Sequence, residues 1–313
     1  MKKAFITGGA GFIGSNLTAR LLHDGWEVTI LDNLFLGKRE FLADYFENKN
    51  FSFIEDDLLE LDKLKTHMSD HDVIFHLAAN SDIGYGTQYT DWDLKQGTLV
   101  TYNVLEAMRT NNIKEIIFAS SSAIYGLASE NPTQENYGPL FPISLYGASK
   151  LACEGLISTF SNNFSIKAWL FRFGNIVGRN ATHGAIYDFI HKLKKNNNEL
   201  KILGNGLQSK PYLHVSDCVD GILYGYHNSP DNLNYFNLAT DGGTSVTDIA
   251  NTVVESMNLN DVDFKYTGTE GGWVGDVPFV RLDPSKLSQL GWSAKYTSDE
   301  AVKHAVNELV EQL

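Results

Sequence analysis

The chain predicts an α/β fold: a doubly wound parallel sheet with a smaller C-terminal α/β lobe. Two patterns carry that prediction. Short apolar strands alternate with helical stretches, which is the order that builds parallel sheets covered by helices. The polar residues with chemical potential fall just after strand ends, the edge where such sheets bind ligands. With 313 residues, 43% of them hydrophobic, the chain can bury one large domain and a second lobe.

The elements follow in order. Lys3-Ala-Phe-Ile-Thr7 is a buried strand that runs into a turn with glycines at Gly8, Gly11 and Gly14. A helix over Asn16–His23 follows. A G-x-x-G-x-x-G spacing allows a tight turn and lets a pyrophosphate sit on a helix N-terminus, where unpaired N–H groups point at it. Trp26–Asp32 is the second strand. Asp32 ends it about twenty residues beyond the turn, where a carboxylate can bind both ribose hydroxyls and repel a 2′-phosphate. This favours NAD over NADP in a Rossmann-type sheet. The third strand, Phe51 to Leu58, ends in acidic residues including Asp57, suited to an adenine edge. Val73–Ala79 is the fourth, and its small residues Ala78 and Ala79 let a cofactor lie close. Glu115–Ser120 is the fifth and delivers Ser121 at its end; Ser165–Arg172 is the sixth. Helices lie between them around Leu58–Ser69, Leu94–Asn111 and Leu145–Phe160. The stretch Asn80–Trp92 is either an irregular cover over the nicotinamide or a surface loop.

Tyr146 and Lys150 stand one helical turn apart, so phenol and ammonium share a helix face. A cation about 4 Å from a phenol, at an effective dielectric near ~20, is worth roughly 4 kcal/mol, or about three pK units. The spacing therefore predicts a phenol acidic enough to act as a base. Ser121 supplies a hydroxyl nearby.

Composition excludes other classes. A net charge of −13 disfavours nucleic acid as a partner. No apolar run is long enough to span a membrane, and Met1-Lys-Lys leads straight into the first strand, leaving no room for a signal peptide. The two cysteines, Cys153 and Cys218, fit a reducing, cytoplasmic setting, and no metal-ligand pattern occurs.

The chain resembles the extended short-chain dehydrogenase/reductases, specifically the NAD-dependent nucleotide-sugar epimerases and dehydratases of the UDP-glucose 4-epimerase type. The resemblance runs over essentially its whole length. It rests on Thr7-Gly-Gly-Ala-Gly-Phe-Ile-Gly14, Asp32-Asn33, His76-Leu-Ala-Ala79, Ser120-Ser-Ser-Ala-Ile-Tyr-Gly126, Tyr146-Gly-Ala-Ser-Lys150 and Arg172-Phe-Gly-Asn-Ile-Val-Gly178. Further matches are Gly204-Asn-Gly-Leu-Gln208, His214-Val-Ser-Asp217, Tyr235-Phe-Asn-Leu238 and Asp283-Pro-Ser-Lys-Leu287. By this resemblance Tyr146 takes a proton from the sugar hydroxyl. Lys150 binds the nicotinamide ribose and lowers the tyrosine pKa, and Ser121 is the catalytic hydroxyl. Tightly bound NAD is assigned to Gly8, Gly11, Phe12, Ile13, Gly14, Asp32, Asn33, Asp57, Leu58, Leu77, Ala78, Ala79, Tyr146, Lys150 and Phe173. A nucleoside-diphosphate sugar is assigned to Ser81, Ser122, Asn175, His183, Leu203, Gln208, Lys210, Tyr212, Trp273 and Asp276. His183 fits a structural place in its loop equally well. The dinucleotide domain spans 1–174, with a return around 212–240; the substrate lobe takes 175–211 and 241–313. The resemblance also implies a homodimer paired through the helices that carry Tyr146 and start near Trp92.

Departures from the family pattern narrow the chemistry. The 4,6-dehydratases carry Asp-Glu directly after the catalytic hydroxyl residue. Ser122 and Ala123 stand there and cannot shuttle the proton that eliminating water requires. Trp273-Val-Gly-Asp276 replaces a segment with a diphosphate-binding Arg, Lys210 stands where Arg is usual, and Gly97 replaces a common asparagine. The expected reaction is oxidation at C4 of the sugar and return of the hydride to the other face, a net 4-epimerisation. The alternative is a dehydrogenase of bacterial surface-polysaccharide synthesis that releases the 4-keto sugar, for example from a GDP-heptose. A non-catalytic NAD-binding regulator is a third reading, which the presence of Ser121, Tyr146 and Lys150 disfavours.

Overall fold

The computed structural model describes residues 1–268 and 281–313. The chain packs as two compact units. The first comprises Met1–Leu127, Glu135–Phe173 and Ile222–Asn237; the second comprises Ala128–Gln134, Gly174–Gly221 and Leu238–Leu313.

The first unit is built on six strands: β1 (Lys3–Thr7), β2 (Glu27–Asp32), β3 (Phe51–Glu55), β4 (Val73–His76), β5 (Glu115–Ser121) and β6 (Lys167–Phe173). They pair in parallel in the order β6-β5-β4-β1-β2-β3, with the strand Leu233–Leu238 on the far edge of β6. Phe5, Ile6, Ile30, Phe75, Phe118 and Phe171 are fully buried. Strands covered on both faces must be apolar nearly throughout, which explains why these segments read as continuous hydrophobic runs. Each such side chain contributes about 1.5–3 kcal/mol on leaving water.

The strand order reverses between β1 and β4, so the chain departs in opposite directions from their carboxyl ends. That crevice is where an open parallel sheet can admit a ligand. The helices α1 (Phe12–His23), α2 (Leu61–His67), α3 (Ile83–Gln88), α4 (Val100–Thr110) and α5 (Leu145–Phe164) connect the strands. Two local features depart from the sequence pattern. The stretch after β4 holds the short helix α3, capped by Asp82, whose carboxylate accepts the Tyr85 N–H at 3.0 Å. The helix expected from Leu94 begins as a wider π turn over Leu94–Leu99 before α4. Such turns mark functional sites more often than not.

The second unit pairs Tyr212–His214 with Asn175–Val177 and Asp263–Tyr266 with Glu199–Ile202, both in parallel. Helix α6 (Ala185–Lys195) buries Ile186, Phe189, Ile190 and Leu193. The final helix, Ser298–Gln312, starts with a reciprocal cap between Thr297 and Glu300, a device that satisfies two otherwise orphaned donors.

A fully buried polar chain crosses the first unit. Thr7 Oγ1 lies 2.7 Å from His76 Nδ1, and His76 Nε2 lies 2.9 Å from Thr101 Oγ1. Thr101 gives its own proton to the Gly97 carbonyl at 2.8 Å, so it accepts from Nε2–H, and Nδ1 accepts from Thr7. The ring is therefore neutral, and burial, with the Lys150 charge adding, lowers its pKa from 6.5 to about 3. The unfolded chain binds that proton near pH 6.5 and the folded chain only near pH 3. Stability is thus intact above pH 6.5 and falls as the pH drops through this window, by about 1.4 kcal/mol per pH unit. Urea unfolding of His76→Asn across the same window should show a slope reduced by about one proton. An unchanged slope would place the acid sensitivity elsewhere.

Candidate active site

Helix α5 starts at Ser144, whose hydroxyl accepts the Gly147 N–H at 3.0 Å. That cap sets Tyr146 in the first turn and Lys150 one turn later, on the face that meets β5. Ser121, at the end of β5, accepts the Ala123 N–H through its hydroxyl at 3.2 Å and stands near enough to the Tyr146 phenol to lower its pKa. Lys150 Nζ donates to the Ala119 carbonyl at 2.6 Å, lies 4.7 Å from the centre of the Phe118 ring and 5.8 Å from that of Tyr146. Ser121, Tyr146 and Lys150 therefore do come together.

Their electrostatics differ from the expectation of an acidified phenol. Burial pushes Tyr146 up to about 12; Ser121 opposes it, while Asp93 and Cys153 add to it. Lys150 is drawn down to about 8 by the same burial, against the charges of Cys153, Glu154 and Asp93. The phenol is not lowered because desolvation outweighs the help from Ser121, and the Lys150 ammonium, which donates to the Ala119 carbonyl, is not among the charges that act on it.

The residues around the crevice fit a dinucleotide. Gly8 has φ +71°, and a Cβ there would lie 2.7 Å from the backbone of Ala78. No larger residue keeps this floor open between β1 and β4. Gly11 enters α1 in an extended conformation with no side-chain cap, so the N–H groups of Phe12, Ile13 and Gly14 are left for a ligand. Asp32 Oδ2 accepts the Ala10 N–H at 3.0 Å and Oδ1 accepts Leu34 N–H at 2.9 Å, which leaves further lone pairs on each oxygen. Burial raises its pKa. Asn33 donates to Asp57 at 3.2 Å, Leu58 is buried, and the Leu77 N–H donates to the Thr7 carbonyl of β1 at 3.1 Å. Phe173 ends β6, nearly buried, and Ala79 follows Ala78.

Residues that the sequence reading passed over shape the same site. Asp93 is buried, its Oδ1 accepts from Asn80 at 3.0 Å, and its Oδ2 has no hydrogen-bond partner among the described residues. Its carbonyl accepts the Ser149 hydroxyl at 2.8 Å, and that hydroxyl also lies 3.1 Å from Thr98 Oγ1. Gly97, unexplained by sequence, now has a reason: a Cβ there would run into Ser149 Oγ. The π turn brings its backbone against α5, directly beside the residues between Tyr146 and Lys150. Phe35, Tyr85 and Trp92 form an aromatic cluster with centroid separations of 5.0–5.8 Å, joining the loop after Asp32 to the segment around α3.

The remaining expected substrate residues are placed as follows. Ser81 is exposed and Ser122 half-buried in the first unit. In the second, Asn175 donates to the Pro211 carbonyl at 3.2 Å, His183 is exposed with its ring 3.4 Å from the Thr182 hydroxyl, and Leu203 is exposed. Gln208 has an enclosed amide with no hydrogen-bond partner among the described residues. Lys210 and Tyr212 are half-buried in adjoining short strands. Trp273 and Asp276 lie outside the described residues.

Comparison with known proteins decides the identity of the architecture. A model of the NAD dependent epimerase/dehydratase family matches residues 4–239. The chain belongs to that family. Its cofactor is accordingly NAD, and it is an NAD-dependent enzyme. A putative UDP-glucose 4-epimerase of Methanocaldococcus jannaschii is 30% identical over 307 residues, covering 96% of each chain. A crystal structure of a UDP-galactose 4-epimerase is 35% identical, covers 99% of both chains and superposes with a TM-score of 0.88. The Thermus thermophilus UDP-glucose 4-epimerase, solved in complex with NAD, is 27% identical over 98% of both chains, with a TM-score of 0.86.

In this family member the Gly97–Ser149 approach is open to test. Alanine usually stabilises a helix over glycine by about 1 kcal/mol. Gly97→Ala should instead lose about 1 kcal/mol, because displacing Ser149 forfeits its bond to Asp93. Adding Ser149→Ala should abolish the further cost of the Gly97 substitution. Denaturation midpoints of the single and double variants read this directly, and a more stable Gly97→Ala protein would refute it.

Proposed function

We propose that the protein interconverts C4 epimers of a sugar carried on uridine diphosphate, through a 4-keto intermediate. The observation that carries the reading is the grouping of Ser121, Tyr146 and Lys150 with Ser122 and Ala123 following the serine. Oxidation at a carbinol needs the first three; elimination of water would need carboxylates at the last two. The choice of uridine is supported by the UDP-glucose and UDP-galactose epimerases that resemble the chain over nearly its full length.

NAD, when bound, supplies the acceptor for the C4 hydrogen and the donor that returns it. Gly8, Gly11, Phe12, Ile13 and Gly14 would hold its pyrophosphate. Asp32 and Asn33 would take the adenosine ribose, Asp57 and Leu58 the adenine edge, and Leu77–Ala79, Lys150 and Phe173 the nicotinamide half. Tyr146 accepts the C4 hydroxyl proton. A phenol near 12 needs help to do so, and the Ser121 hydroxyl gives it by hydrogen bonding, while Lys150, still largely protonated at neutral pH, holds the nicotinamide ribose. Ser121 also faces the C4 oxygen as it becomes a ketone. Once C4 is planar its configuration is lost. Inversion then requires the sugar to present its other face while Asn175, Leu203, Gln208, Lys210 and Tyr212 keep the nucleotide in place.

Two further elements belong to this reading. The protein forms a homodimer through α4, the turn before it and α5, whose surface exposes Leu99, Tyr102 and Phe164. It works in the cytoplasm, where its free thiols Cys153 and Cys218 stay reduced. Among the described residues no helix is long and apolar enough to cross a membrane.

Incubation with UDP-glucose, UDP-galactose and UDP-arabinose, followed by proton NMR, should show inversion at C4 with no net change in NAD. Build-up of NADH with a released ketone would replace this reading by a dehydrogenase. With the substrate found, Tyr146→Phe should lower kcat by about 10²–10⁴ with little change in KM; unchanged turnover would remove Tyr146 from the chemistry. Asp32→Ala should weaken NAD and narrow its advantage over NADP by about tenfold or more. Equal discrimination in a cofactor titration would release Asp32 from the ribose.

A further inference from the structure

Three consecutive residues at the end of β5 each meet one residue of α5, and the helical partners are spaced four apart. Ala119 accepts from Lys150 through its carbonyl at 2.6 Å, Ser120 donates through its hydroxyl to Glu154 Oε1 at 2.6 Å, and Ser121 stands near enough to Tyr146 to lower its pKa. Positions spaced by four stay on one helix face, so the three contacts form a single seam. Two of the helical partners are the groups assigned to proton transfer. The third, Glu154, has no part in that chemistry and is nonetheless the most completely held.

Arg172 lies directly across from Ser120 in the β5–β6 register. Its guanidinium grips the Glu154 carboxylate with both edges of the fork, Nε to Oε1 at 3.0 Å and Nη2 to Oε2 at 2.8 Å. Its remaining nitrogen, Nη1, donates to the Tyr125 hydroxyl and the Glu135 carbonyl, each at 2.8 Å. Tyr125 in turn donates to Asn237 Oδ1 at 2.7 Å, and the Asn237 N–H donates to Glu135 Oε1 at 2.8 Å. All six side chains in this network are buried. An enclosed ion pair is no more stabilising than apolar packing of the same volume, so stability alone does not account for it. What it adds is direction: apolar contact lets a helix turn or slide, whereas a bidentate fork fixes distance and plane.

We propose that Glu154, gripped by Arg172 and bound by Ser120, is a positioning residue that fixes the rotation and height of α5 on β5, and with them the placement of Tyr146 and Lys150 opposite Ser121. The inference rests on the reading of Tyr146 as the proton acceptor. It does not depend on whether the net reaction is epimerisation or release of a ketone. The Glu154 charge also favours the protonated form of Lys150, together with Cys153 and Asp93.

Ser120→Ala removes one contact and leaves the ion pair intact; Glu154→Gln keeps the volume and removes the charge. Both should lower kcat, Glu154→Gln by about tenfold or more, with KM and bound NAD(H) per chain within about twofold of the parent. The loss should vanish in a Tyr146→Phe background, where no phenol remains to be placed. Copurified dinucleotide and thermal midpoint give readouts independent of turnover. Because Ser120→Ala leaves the ion pair intact, a folding failure of Glu154→Gln would not remove the test. The proposal is overturned if kcat stays within about twofold in Ser120→Ala, or if the losses persist undiminished on top of Tyr146→Phe. Failure of the parent to invert C4 while it accumulates ketone would instead overturn the epimerase reading, and the same variants would then be scored on ketone formation.

Discussion

The seam between β5 and α5 is the constraint on which the site depends. A strand and a helix packed through apolar side chains alone can shift by a fraction of an ångström at little cost. Acid–base chemistry at one carbon tolerates no such freedom. Here Ala119 and Ser120 hold Lys150 and Glu154 by directed hydrogen bonds, and Ser121 stands beside Tyr146. The Lys150 and Glu154 bonds are buried, so breaking one leaves an unsatisfied group with no water to turn to. Such a loss costs about 1–3 kcal/mol for a neutral group and more for a charged one.

Enclosure works on both members of the pair proposed for proton transfer. It raises the Tyr146 phenol to about 12 and lowers the Lys150 ammonium to about 8. The two shifts have one cause, the loss of water around whichever form is charged. His76 answers to the same rule. Held as a neutral ring between Thr7 and Thr101, it places no second positive charge beside Lys150.

Backbone geometry completes the arrangement at two points. Gly8 opens the crevice where the strand order reverses, and Gly97 lets a π turn lie against Ser149. In both places an added methyl group would strike its neighbour. The first glycine keeps β1 close to β4, and the second serves the helix that carries the tyrosine.

Much of this was legible along the chain. Alternating apolar runs and helical stretches, the glycine turn, and the strand-ending Asp32 and Ser121 specify the sheet and its ligand-binding edge, because these signals are local and periodic. The four-residue spacing of Tyr146 and Lys150 likewise places both on one face. The charge balance between them was not legible. It depends on how far the ammonium stands from the phenol and on how much water burial removes, and neither quantity is written in a spacing. Nor could Glu154 be found: its only local mark is lying four residues beyond Lys150, while its partners Ser120 and Arg172 come from two different strands. Sequence by itself determined the fold and its ligand-binding edge, and it named the side chains proposed to react. Only tertiary structure decided their protonation and their alignment, since both arise from groups far apart in the chain that meet where water is excluded.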